Sequence, residues 1–168
     1  DLGAGNFTVE AWIYKVGTGA RIAGNEPETY AGIIGGNDRL TAGWTLYLRQ
    51  DTGALCWFGD DGALRTTTNK VNDKEWTHVA VSRSSGTLKI FINGVEGYAA
   101  PVTTNYTVPY GISIGRDYGA NASFYGYISN ARVVRGTGLY TTNFTPSTSP
   151  LTAVTNTVLL TCQSNRFQ

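Results

Sequence analysis

The stretch Asp73 to Gly97, DKEWTHVAVSRSSGTLKIFINGVEG, sets the tightest limit on what this chain can fold into. Trp76 to Arg83 alternates about Val79 and Val81. Leu88, Ile90 and Ile92 then fall at every second residue, with Thr87, Lys89 and Asn93 between and beyond them. Successive side chains leave a strand on opposite faces, so period two over both runs predicts half-buried strands with Ile90 and Ile92 in the core. Ser84-Ser85-Gly86 and Asn93-Gly94 separate the runs. Asn-Gly is the strongest short-range signal for a two-residue type I′ hairpin. The stretch therefore reads as a three-strand antiparallel meander at the centre of an all-β domain.

The rest of the chain agrees. Twenty-one glycines, ten tyrosines and four tryptophans in 168 residues suit many short strands joined by tight turns. No window repeats apolar residues at helical spacing. Phe7, Val9, Ala11 and Ile13 alternate with Thr8, Glu10, Trp12 and Tyr14. Further strands are expected at Tyr30 to Ile34, Gly43 to Arg49, Ala54 to Phe58, Ala63 to Thr68, Gly111 to Arg116, Phe124 to Arg135 and Val158 to Cys162. Strands at this spacing predict one sandwich or jelly roll. Gly136 to Asn156 reads as an irregular segment packed across the surface, anchored by Leu139, Phe144 and Leu151.

Several function classes are disfavoured by composition. The formal charge is +1 and no Lys/Arg cluster stands out, so the electrostatic footprint of a nucleic-acid binder is missing. No apolar run approaches the roughly 18 residues of a membrane span. Cys56 and Cys162 lie in separate expected strands and read as buried free thiols or, less readily, a disulfide; neither their count nor their spacing suits zinc.

The meander carries a resemblance as well. EWTHVA, a short turn and TLKIFINGV resemble the central hairpin of laminin G-like domains, members of the concanavalin A-like lectin and glucanase superfamily. FTVEAWIY (Phe7 to Tyr14) resembles the family's first long strand and GWTLYL (Gly43 to Leu48) a middle one. ISIG (Ile112 to Gly115) followed by FYGYISNARVV (Phe124 to Val134) resembles its late pattern F-x-G-x-I-D-E-V-R-I-Y. The resemblance implies an antiparallel β-sandwich of jelly-roll type. It also implies an earlier strand, pairing near the C-terminal one, that is not in this sequence. With no methionine present, residues 1–168 are expected to be a single domain cut or processed from a larger protein. The tail, VVRGTGLYTTNFTP and LLTCQ, resembles a version of the domain found in structural and tail-associated proteins of tailed bacteriophages.

Catalysis is hard to assemble from these residues. His78 is the only histidine and sits mid-strand, so it reads as a strand-face residue and not as a general base. Glycoside hydrolysis needs two carboxylates roughly 5 to 9 Å apart across the bond. The glucanases of the superfamily carry theirs on one strand as E-x-D-x-E, a triplet that does not occur here. Glu26 and Glu28 flank Pro27 in an expected loop, and Asp60-Asp61 lies in a turn. The chain is expected not to be an enzyme.

Laminin G-like domains that hold calcium do so at one rim with oxygen ligands, the kind calcium prefers. By that resemblance Asp38 and Asn105 are the candidate ligands, with carbonyls near Gly59 and Asp60; the D-E of the late motif is replaced by Ser129-Asn130. Tyrosines recur in the loops at Tyr98, Tyr106, Tyr110, Tyr118 and Tyr125. Such rings combine an apolar face with a hydrogen-bonding hydroxyl and can hold a sugar ring, or can pack under loops. Tyr118, Asn121 and Tyr125 are expected to share a site, with Tyr106 and Tyr110 as further ligand residues. Asn6, Asn105, Asn121 and Asn143 head Asn-x-Ser/Thr sequons, which matter only in a eukaryotic secretory pathway. The resulting expectation is a non-catalytic binding or structural domain of a phage virion or tail-associated protein. It would adhere to surface glycans or contact sister virion chains, at the virion surface or extracellularly. The alternative is a secreted lectin-like or adhesion module of a cellular organism.

Overall fold

A computed structural model of the chain describes residues 1–17, 30–36, 42–109, 111–116 and 123–163. The elements in the first half are β1 (Phe7–Lys15), β2 (Tyr30–Gly35), β3 (Thr45–Arg49), β4 (Ala54–Phe58), β5 (Leu64–Lys70) and β6 (Trp76–Ser84). β7 (Thr87–Ile92), β8 (Val95–Pro101), β9 (Ser113–Ile114), β10 (Gly126–Arg135) and β11 (Thr157–Thr161) follow. A six-stranded sheet has the order β11-β10-β1-β6-β7-β8 and a five-stranded sheet the order β5-β4-β3-β2-β9. Every paired strand is antiparallel to its neighbour.

The expected meander is β6-β7-β8, and both its turns have the local chemistry they need. Ser85 and Gly86 (φ 48° and 75°) form the first loop, and Asn93 and Gly94 (49° and 74°) the second. Positive φ at both central positions is the type I′ geometry, whose twist matches that of the flanking strands. The expected strand Gly111 to Arg116 contracts to Ser113–Ile114, two residues pairing with Gly35 and Ile34 at the sheet edge.

The core lies between the sheets. Phe7, Val9, Ala11, Ile13, Val79, Val81, Leu88 and Ile90 from one sheet meet Ile33, Leu46, Leu48, Leu55 and Trp57 from the other, all at 0% exposure. At one end the core is aromatic. Trp44 stacks on Trp57 (centroids 5.1 Å apart, 14° between planes), Trp57 stacks on Phe7 (5.4 Å, 22°), and Tyr106 meets Phe7 and Trp57 edge-on. Tyr106, expected in a ligand-binding loop, is thus fully buried and cannot present its ring to a ligand. Its burial demands glycine at position 59, where a Cβ would lie 2.1 Å from Tyr106 Cε1.

Arg83 closes this end. It follows Val79 and Val81 on the inward face of β6, and its guanidinium lies over the rings of Phe7 (4.9 Å) and Tyr106 (5.1 Å). It donates to the carbonyls of Gly5, Thr104 and Gly3 at 2.8, 2.6 and 2.6 Å. The inward charge is thereby satisfied, as burial requires. The two cysteines are both free: Cys56 is buried, with burial pushing its thiol pKa up, and Cys162 is exposed.

On its outer face the six-stranded sheet is only half open. Simple alternation makes Thr8 and Glu10 solvent-facing, yet both are 0% exposed. The reason is the segment between β10 and β11, which crosses the sheet as a strap. Leu139 N–H donates to Thr8 Oγ1, Tyr140 N–H to Ser82 Oγ, and Phe144 N–H to the Gly94 carbonyl. The rings of Tyr140 and Phe144 stack at 3.7 Å and pack edge-on against His78 and Phe91. Under them sits the Glu10 carboxylate. Oε2 accepts from His78 Nε2 (2.9 Å) and the Tyr140 hydroxyl (2.8 Å), and Oε1 from Arg132 Nε (2.8 Å), with Arg132 Nη2 at 2.6 Å.

Two outcomes check this packing. Ile90→Ala should cost about 2–5 kcal/mol in a denaturant melt through lost burial and a residual cavity; a loss under about 0.5 kcal/mol would mean that the side chain faces water. Burial acts to raise the Glu10 pKa, but the His78 hydrogen bond and the charges of His78 and Arg132 outweigh it, so the net shift is downward from 4.5. A carboxylate with a lower pKa folded than unfolded adds stability that is present above about 4.5 and lost as pH falls through the folded value. Glu10→Gln should remove that part of the acid-limb dependence, and it should cost about 3–5 kcal/mol at pH 7 by leaving Arg132 without its counter-charge. Urea melts at pH 7 and below pH 4 read both.

Candidate functional site

Beyond the strap's edge, the same outer face stays open, and the residues on it follow from register. Trp12 and Tyr14 are the outward residues of β1 after Glu10. Antiparallel pairing sets Trp12 opposite His78 on β6, and Tyr14 opposite Trp76 on β6 and Tyr127 on β10. Tyr14 is therefore flanked by two rings, with centroids 5.7 Å from Trp76 and 5.9 Å from Tyr127, tilted by 58° and 56°. Trp76 is 44% exposed and Tyr127 61%. Three strands thus carry one aromatic row to solvent. Nothing in the core requires it.

A bulge shapes the other border of the row. Glu10 pairs with Arg132 and Trp12 with Ser129, so Ala11 faces the two residues Asn130 and Ala131. Asn130 takes φ 52°, a left-handed conformation that asparagine tolerates better than most residues. Its Oδ1 accepts the Leu151 N–H (2.8 Å) and its Nδ2 donates to Ser129 Oγ (2.9 Å), while Gln163 Nε2 donates to the Leu151 carbonyl. These polar groups and the strap residues Ser149 and Pro150 enclose, with Trp12 and Trp76, an open groove of about 320 Å³. A second groove, of about 470 Å³, lies across Trp76 among Tyr14, Val16, Lys74 and Tyr127. The indole of Trp76 divides the two. An apolar ring surface bordered by amide and hydroxyl groups can hold a ligand with apolar faces and polar edges.

The positions expected from sequence fare unevenly. Tyr125 is 49% exposed, immediately before β10, where its carbonyl accepts the Val16 N–H at 3.1 Å. Tyr106 is in the core, and Tyr98 is half-buried against it. Tyr110, Tyr118, Asn121 and Asp38 lie outside the described residues. Asn105 is exposed. Of the carbonyls expected near Gly59 and Asp60, that of Gly59 accepts Gly62 N–H at 2.8 Å. Both oxygens of Asp60 accept from the loop at Thr107, and Oδ1 also accepts Gly43 N–H at 2.6 Å. Among the described residues, no three His, Cys, Asp or Glu side chains converge as a metal set.

The aromatic row was missed because its members looked separate. Trp12 and Tyr14 were legible as the non-core face of β1, and Trp76 as the start of β6. Pairing Tyr14 with Trp76 across the β1-β6 register was the signal that joins them.

Comparison with known proteins places this geometry in a family. A model of the concanavalin A-like lectin/glucanases superfamily matches residues 1–137. In fold, the chain is similar to a candidate carbohydrate binding protein from Bacteroides ovatus, with TM-score 0.70, 19% identity, and coverage of 99% of this chain and 48% of that one. It is also similar to a heptameric pentraxin from Limulus polyphemus, with TM-score 0.55, 16% identity, and 80% and 65% coverage. Domain 4 of an extracellular arabinanase from Geobacillus stearothermophilus, solved with arabinotriose, gives TM-score 0.54, 17% identity, and 76% and 59% coverage. The chain therefore spans about half the length of the first of these and under two thirds of the others. Among curated proteins, none matches it in sequence. With a family match over residues 1–137 and two antiparallel sheets packed as a sandwich, the chain belongs to the concanavalin A-like lectin/glucanases superfamily.

Proposed function

We propose that this chain is a non-catalytic carbohydrate-binding domain that holds glycans on the aromatic row of Trp12, Tyr14, Trp76 and Tyr127. The observation that carries this reading is the row itself: rings from three strands, presented to solvent and flanked by Ser129, Asn130 and Gln163. Sugar rings offer C–H faces to such a surface and hydroxyls to its polar border. Two similarly folded proteins support it, one described as a candidate carbohydrate binding protein and one solved with arabinotriose. Tyr125, exposed just before β10, extends the same reading, and Tyr118 and Asn121 join it from the sequence alone.

The setting we propose is the surface of a phage virion or an attached tail protein, where the domain would hold a host glycan or sit against sister chains. The phage-like tail sequence supports that setting. A secreted lectin-like module of a cellular organism would use the same face, so the flanking sequence of the parent protein decides between them. Calcium held by Asp38 and Asn105 belongs to the proposal as a separate arm.

A glycan array tests the reading with wild type, Trp76→Ala, Tyr118→Ala and Asp38→Ala, each with and without chelator. Trp76→Ala should weaken binding about tenfold, the loss expected for one stacked ring, with little change in melting because the side chain is half exposed. Chelator should weaken binding only if the rim holds calcium, in parallel with Asp38→Ala. Absence of binding by wild type under every condition would sink the carbohydrate reading and leave a structural role. Incubation with a polysaccharide panel should release no reducing ends; turnover abolished by changing one carboxylate would overturn the non-catalytic assignment.

A further inference from the structure

Lys74 stands at the open end of the aromatic row, beside an Asp73 whose charge Lys15 already neutralises. It is exposed and lines the groove formed with Tyr14, Trp76 and Tyr127. Its acidic neighbours both have partners: Asp73 Oδ1 accepts from Lys15 Nζ at 2.5 Å, and Glu75 Oε1 from Asn72 Nδ2 at 2.9 Å. No carboxylate among the described residues pairs with Lys74. The other groove, across Trp76, is bordered by Trp12, Ser129, Asn130, Ser149 and Gln163, with no charged side chain among the described residues. Among the described residues, the row therefore carries a cation at its Lys74 end.

The backbone at Lys74 gives a second, independent indication. Its φ is 62°, a conformation that glycine takes freely and that crowds the Cβ of a lysine. The strain is held in place from β1: Lys74 N–H donates to the Lys15 carbonyl at 2.7 Å, while Lys15, only 5% exposed, fixes Asp73. Backbone strain at a residue beside a ligand surface points to a use for the side chain. A lysine ammonium is a compact charge with three donors, suited to one carboxylate against a ring.

We infer that the Tyr14–Trp76–Tyr127 groove takes an acidic sugar residue, its ring on the aromatic side chains and its carboxylate on Lys74 Nζ. The groove across Trp76 takes the neighbouring residue of the same chain. The inference rests on the carbohydrate reading above and names the class of glycan for that site.

The test is an array in which each backbone is printed in carboxylated and neutral form, polygalacturonic acid beside its methyl ester among them, probed with wild type, Lys74→Gly and Trp76→Ala. Wild type should prefer the carboxylated member of each bound pair, the more so at low salt. Lys74→Gly should weaken binding to that member roughly tenfold and to the neutral member far less, and so erase the preference. Because glycine relieves the strained φ, the variant should melt no lower than wild type, which separates loss of the ammonium from unfolding. Trp76→Ala should weaken both members. Equal binding of the two forms, binding of neutral forms alone, or a preference that survives Lys74→Gly would overturn the inference and leave the carbohydrate reading intact. Absence of binding to any member would remove both.

Discussion

The carboxylate of Glu10 holds three parts of the molecule to one point. β1 carries it, β6 supplies His78, β10 supplies Arg132, and the strap supplies Tyr140. A buried charge is tolerable only where its lone pairs are filled, and here both oxygens are. Each partner is oriented in turn. Arg132 Nη1 donates to the Thr152 carbonyl at 2.7 Å, tying the returning arm of the strap to the same cluster. The Tyr140 phenol has its pKa pushed up by burial and by the facing carboxylate, so it remains a donor. Removing the carboxylate would leave Arg132, His78 and the Tyr140 hydroxyl without their shared partner.

That lock determines which half of the outer sheet face is covered. Tyr140 and Phe144 shield the half around Glu10, Ser82 and Phe91, and the strap turns back before the ends of β1 and β6. The aromatic residues beyond it stay in water at the cost of exposed apolar surface, an arrangement that marks interaction sites on soluble domains. The returning arm also serves as a wall, since Ser149 and Pro150 border the groove beside Trp12. Fold stability and the open aromatic face thus share a border. A loosened strap would change the groove as well as the core.

The opposite end of the sandwich is closed differently. Arg83 points inward and spends its donors on the carbonyls of Gly3, Gly5 and Thr104, binding the segment before β1 to the loop after β8. Tyr106 fills the space beneath it. One end is therefore packed around stacked tryptophans, while the solvent-facing aromatics gather on another surface. Rings of the same residue types serve opposite purposes according to the face they leave from.

Much of the fold was legible in the chain. Period-two runs and two turn sequences sufficed for β6, β7 and β8, because alternation and φ preference are properties of adjacent residues. The strap was legible too, through Phe144 and Leu151 in a stretch without periodicity. Long-range packing was not. Tyr106 reads like any loop tyrosine until Gly59 lets it into the core, and Glu10 reads as solvent-facing until the strap covers it. The aromatic row shows the division most plainly: Tyr14 lies 62 residues from Trp76 and 113 from Tyr127 by their numbering. Each residue's face follows from its own strand, but only strand pairing brings the three together, because register is set by contacts between segments distant in sequence. Alternation and turn chemistry are enough for a sandwich of strands and hairpins, whereas contacts between distant segments set which outward residues are buried, which are open, and which stand side by side.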